Sequence, residues 1–77
     1  MNRTPIDQFV VDKVKEMRIS NNYSQIDLAV LLEVSNGFIG KIESNKFTTK
    51  YNLSHINKLA KVFNCSPKDF LPDSFLE

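Results

Sequence analysis

This sequence predicts an all-α fold, a compact bundle of five short helices, and three observations carry that expectation. Its 77 residues include only 2 glycines and 3 prolines, too few turn-formers for a many-stranded sheet. Apolar residues recur at helical spacing and do not alternate. Three times a Thr or Ser is followed three positions later by Asp (Thr4/Asp7, Ser24/Asp27, Ser66/Asp69), the offset at which a helix N-terminus is capped.

The first helix opens at Thr4-Pro5-Ile6-Asp7, with proline at the first helical position and an acid at the third. Ile6, Val10, Val14 and Met17, flanked by Val11 and Arg18, form one face until Ser20-Asn21-Asn22 interrupts. Ser24 opens the second helix, with Tyr23 and Leu28 placed as a hydrophobic staple. Ser35 opens the third, stapled by Val34 and Ile39 and running to Glu43, where Ser44-Asn45 offers a left-handed stop. Lys46 to Lys50 is a polar loop. Asn52 caps a fourth helix carrying Leu53, Ile56, Leu59, Ala60 and Phe63, and Ser66-Pro67-Lys68-Asp69 opens a short fifth, stapled by Cys65 and Phe70 and limited by Pro72. Residues 1–77 form one domain on this reading, with the first few residues and the tail 73–77 flexible.

Composition excludes several classes. The apolar fraction, 42%, is too high for a disordered chain. The longest apolar run, Leu28 to Leu32, is far short of a membrane span, and the N-terminus has no signal-peptide core. A lone cysteine forms no internal disulfide, so the cytoplasm is the expected location. His55 and Cys65 have no partners at ligand spacing, and no acid/base constellation or phosphate loop is present, so no enzyme, metal or cofactor is expected. His55 reads as a polar residue of a first helical turn, and Cys65 as a small buried hydrophobe. The net charge of +1 is unevenly spread. Residues 34–68 hold six lysines against Glu43 alone, between acidic flanks, as expected of one electropositive face. Solvated lysines on helix surfaces explain the charge alone equally well. Of the eight aromatics, most fall at core or staple positions; Phe9, Phe47 and Phe75 do not.

The segment from Gln25 to Ile42 is two short helices around a tight turn at Glu33-Val34-Ser35, with Ala29 small enough for close crossing. Tyr23-Ser24-Gln25-Ile26-Asp27-Leu28-Ala29, Val34-Ser35 and Ile39-Gly40-Lys41-Ile42-Glu43 together resemble the Cro/C1-type helix-turn-helix family of phage repressors and XRE-like bacterial regulators. Leu59-Ala60-Lys61-Val62-Phe63-Asn64-Cys65-Ser66 resembles that family's fourth helix and its exit. The likeness spans residues 10–71, with the helix-turn-helix unit at about 24–43, and implies a lambda-repressor-like fold that binds double-stranded DNA.

By this resemblance, the helix 35–43 lies in the major groove, with Asn36, Gly37 and Lys41 where the family reads bases. Asn suits adenine and Lys the O6/N7 edge of guanine. Gln25 would hold a phosphate and brace that helix, and Ser35, Ser44, Lys46, Thr48 and Lys50 would contact the DNA backbone. Arg18 and Glu43 match a structural ion pair. Phe70, Leu71 and Phe75 fall where the family dimerises, implying a homodimer on an inverted-repeat operator; no small-molecule ligand is implied. Three departures qualify the match. Glu33 stands at a turn position that is usually glycine, Gly37 and Gly40 interrupt the reading helix, and Ile26 and Val30 are apolar where polar residues are usual. These motivate an alternative, a protein-interaction module on the same fold, although isolated surface apolars are common.

Overall fold

A computed structural model describes residues 3–77; Met1 and Asn2, part of the stretch expected to be flexible, lie outside the described residues. Four α-helices follow in order: α1 (Pro5–Ser20), α2 (Gln25–Leu32), α3 (Phe38–Glu43) and α4 (Leu53–Phe63). A single 3₁₀ turn, Pro67–Phe70, comes next, and no strand occurs among the described residues. Among the described residues no helix is long and apolar enough to cross a membrane.

The local signals act as read at three starts. Thr4 accepts from the Asp7 N–H, and Ser24 and Asn52 each form a reciprocal box with the residue three positions on. In the second box the partner is His55, whose Nδ1 accepts from the Asn52 N–H at 3.0 Å. Glu33, where glycine is usual, takes φ 61° and closes α2 through its N–H to Ala29 and Val30. A non-glycine residue there costs about 1 kcal/mol. Just past the end of α3, Asn45 is also left-handed, at φ 60°.

Two expectations need correction. The fifth helix is only the 3₁₀ turn: Ser66 and Asp69 start it as expected, but Leu71 is extended (φ −109°, ψ 150°). Proline at 72 disfavours helical backbone at the residue before it, so the turn cannot propagate. The third helix begins three residues late. Ser35 contributes no cap; Asn36 and Gly37 form a turn closed by Phe38 N–H to Ser35 O at 3.0 Å, and α3 starts after Gly37. Asn and Gly are poor helix formers, and no side chain offsets that here.

One core joins everything. Val10, Val11 and Val14 of α1 meet Leu28, Ala29 and Leu32 of α2, Ile39 and Ile42 of α3, and Ile56, Leu59 and Ala60 of α4, with Tyr51 and Phe70 completing it. Ala29 is fully buried, so α2 and α3 approach closely at that point.

Candidate nucleic-acid interface

Beneath α3 lies a buried polar network that ties three helices together. Arg18, in the last turn of α1, donates from Nε to Glu43 Oε2 and from Nη2 to Oε1, both at 2.9 Å. Its Nη1 donates to the Tyr23 carbonyl at 2.7 Å, and Gln25 Nε2 reaches Glu43 Oε1 at 3.1 Å. The Arg18 and Glu43 side chains are only 12% and 3% exposed. A paired, bidentate geometry is what makes such burial tolerable, and donation to the Glu43 carboxylate raises the Arg18 pKa. Tyr51 packs nearby with its hydroxyl buried and unpartnered; burial first, then the Glu43 charge, push its phenol pKa up.

The same network decides where Gly40 sits. It stands inside α3, where a Cβ would meet Gln25 Oε1 at 3.0 Å. Glycine at 40 lets the Gln25 side chain lie across α3 to reach Glu43. Gln25 thus makes a bracing contact with the helix that follows. Gly37 differs, since nothing lies within 4 Å of its absent Cβ.

The outward side of α3 and its flanks is polar and free. Ser35, Asn36, Gly37, Lys41, Lys46 and Thr48 are all exposed. Lys41 Nζ lies 4.9 Å from the centre of the Phe47 ring, an arrangement that confines a long lysine to one direction. Phe47, which sequence reasoning left unplaced, is therefore part of this face. Two backbone-contact candidates are otherwise engaged. Ser44 Oγ donates to Lys41 O at 2.9 Å, which uses its one proton. Lys50 Nζ pairs with Asp7 Oδ2 at 3.1 Å, and that carboxyl sits below its ordinary range, first through the Thr4 hydroxyl and then through Lys50.

Arg3 is the residue that sequence reasoning missed. Its guanidinium reaches the Ile42 carbonyl at 2.6 Å and the Thr49 carbonyl at 2.8 Å, and the side chains of Asn45 and Gln8 at 3.0 and 3.2 Å. An isolated arginine ahead of a helix cap carries no periodic or motif signal that could have revealed this.

The expected dimer surface needs revision. Phe70 has no exposed area and belongs to the core, so it offers nothing to a partner. Leu71 and Phe75 are 39% and 82% exposed. Leu71 borders an apolar groove lined also by Ile6, Val10, Leu53 and Ile56. On α2, Ile26 and Val30 are 57% and 65% exposed. His55 packs against the Phe38 ring at 5.1 Å and serves the α4 cap, and Cys65 packs partly buried against the core. No grouping of His, Cys, Asp and Glu able to hold a metal occurs among the described residues.

Compared with known proteins, residues 14–70 match the helix-turn-helix family. Three solved structures share the fold. The restriction-modification controller protein C.AhdI from Aeromonas hydrophila is 24% identical, with TM-score 0.70 over 82% of this chain and 92% of that one. A hypothetical transcription factor, NHTF from Neisseria, is 18% identical, with TM-score 0.70 over 94% and 85%. The SinR protein/SinI protein complex contains a chain 23% identical, with TM-score 0.68 over 83% and 61%. No curated protein matches the sequence.

Proposed function

The chain belongs to the helix-turn-helix family, in its Cro/C1-type branch, and from that premise we propose that it is a sequence-specific double-stranded DNA-binding regulator of transcription. One observation supports this reading above the others. The face formed by the 35–37 turn, α3 and the loop after it is polar, basic and without internal partners over most of its area. Its inner side is fixed by Ile39, Ile42 and the Arg18–Glu43–Gln25 network.

In this reading α3 enters the major groove. Asn36 and Lys41 present donors to base edges, and Gly37, with open space where a Cβ would be, lets the backbone approach closely. Lys46 and Thr48 take phosphate or sugar, and Gln25 adds a phosphate contact to its bracing one. Ser35 remains a backbone contact through its exposed position; Ser44 and Lys50 would first have to leave the partners they now hold.

The domain measures 33 × 28 × 21 Å, about one helical turn of DNA at its longest. One copy covers a half-site, so a homodimer on an inverted repeat follows, acting most simply as a repressor. Leu71, Phe75, Ile6 and Leu53 supply its apolar contact. The neighbours point the same way: one is a restriction-modification controller and another is a hypothetical transcription factor. A second reading, a protein-contact module, draws on the exposed Ile26 and Val30.

Selection from a pool of random duplexes, repeated at several salt concentrations, tests the proposal. It predicts an enriched inverted repeat with half-site centres about 34–36 Å apart, or a multiple of that. Affinity should fall steeply with salt as phosphate counterions are released. Retention of no preferred sequence would remove specific recognition and favour the protein-contact reading.

A further inference from the structure

The N-terminal end of α1 and the loop that follows α3 are far apart in sequence, yet the side chains of Arg3, Asp7 and Gln8 all reach that loop. Arg3 Nη2 donates to the carbonyl of Ile42, in the last turn of α3, at 2.6 Å, and to that of Thr49 at 2.8 Å; Nε also donates to Thr49 O at 3.1 Å. Its Nη1 meets Asn45 Oδ1 at 3.0 Å, and Gln8 Nε2 reaches the same oxygen at 3.3 Å. Lys50 is tied to Asp7. The loop is therefore gripped at its start, at the left-handed Asn45, and at its end. Lys46, Phe47 and Thr48 project between those grips into solvent.

We propose that this end of α1 is a clamp holding residues 44–50 in the conformation that presents Lys46, Phe47 and Thr48 to DNA, with Arg3 as its positioning residue. The proposal rests on the DNA-binding reading for its consequence but not for the clamp itself. Three features favour positioning over simple helix capping. Arg3, which precedes the α1 cap, spends only one contact, Gln8, on α1, while Thr4 already caps that helix. Its cation sits at the C-terminal end of α3, where the last carbonyls lack helical partners and the dipole favours positive charge. Only a planar, multi-donor guanidinium joins two carbonyls and two side-chain amides at once; an ammonium on a flexible stem does not. Holding the loop before binding removes an ordering penalty that DNA would otherwise have to offset. The same loop carries the ring that orients Lys41, so the clamp also acts on the base-reading lysine.

The test compares the unsubstituted protein with Arg3→Met and Arg3→Lys. Backbone order parameters of residues 45–49, measured by NMR without DNA, should fall from about 0.85 to below about 0.6 in Arg3→Met, with the α1 and α4 values unchanged. Arg3→Lys should lie between. Affinity for the selected operator should drop by roughly tenfold, and affinity for a random duplex of equal length, which does not use the base-reading contact of Lys41, by less. Combining Arg3→Met with Lys46→Ala should lose less than the product of the single losses, a non-additivity that general destabilisation does not produce. Unchanged loop order in Arg3→Met, or fully multiplicative losses, would overturn the clamp. If the wild-type protein binds no duplex, the DNA reading fails, and loop order alone still upholds or overturns the clamp.

Discussion

Helices α3 and α4 flank the same loop and are built in opposite ways. α4 is specified locally. It has a reciprocal cap at Asn52 and His55, a buried stripe of Ile56, Leu59 and Ala60, and a left-handed stop at Asn64 with φ 55°. α3 has six residues, no side-chain cap at its start and two glycines in or beside it. What keeps it helical comes from elsewhere: the fully buried Ile39 and Ile42 inside, and the ion pair reaching Glu43 from α1. A helix held from behind leaves its front free to vary. That is the economy expected of a surface whose side chains serve a partner.

The largest effect that could break this contrast is loss of the ion pair. Arg18→Met leaves the Glu43 charge buried without its cation, with only the Gln25 amide as a partner, and should destabilise by about 3–5 kcal/mol in urea unfolding. A loss below about 1 kcal/mol, the exposed-pair range, would mean that α3 does not depend on the network. Asn52→Ala removes the α4 cap and should cost about 1 kcal/mol, measured the same way. No equivalent substitution exists at Ser35, which caps nothing.

Gly37→Ala sharpens the contrast differently. Its backbone is right-handed (φ −84°) and its surroundings are empty, so alanine should leave stability unchanged or raise it by up to about 1 kcal/mol. Operator affinity should nevertheless fall if the backbone there approaches DNA closely.

The smallest effect is a pH dependence of α4. Burial first, then Lys58, lowers the pKa of His55 from 6.5, and Nδ1 accepts a hydrogen bond only when unprotonated. The folded value is depressed, so its contribution is fully present above about pH 6.5 and is lost as pH falls through the folded value. The expected loss is about 0.5 kcal/mol, at the low end for a cap, and should vanish in His55→Gln. Thermal melts between pH 7.5 and 5 would show it.

The contrast also explains what was legible in the sequence. The starts of α1, α2 and α4 were readable because their caps are encoded within four residues. The left-handed stop at Asn45 and the Arg18–Glu43 pair were readable through turn chemistry and family resemblance. The start of α3 was not, because Ser35 satisfies the local rule while Asn36-Gly37 defeats it. The fifth helix failed for the same reason at its far end, where the constraint comes from Pro72 and not from Ser66. Phe70 was assigned to a surface by family resemblance, whereas its staple position opposite Cys65 fits the core in which it lies. Arg3 was invisible because its partners lie at positions 42, 45 and 49, brought close only by the fold.

The most direct test of DNA reading by α3 and its flanks is the affinity of Lys41→Ala for the selected operator and for every single-base-pair variant of it. The account predicts a loss of about 1–3 kcal/mol on the operator and a flattened preference at one base pair per half-site. Lys46→Ala on the same duplexes should weaken all of them alike. If Lys41→Ala leaves both affinity and preference unchanged while Ile26→Glu abolishes activity, the functional surface is the exposed face of α2, and the assignment to α3 is wrong.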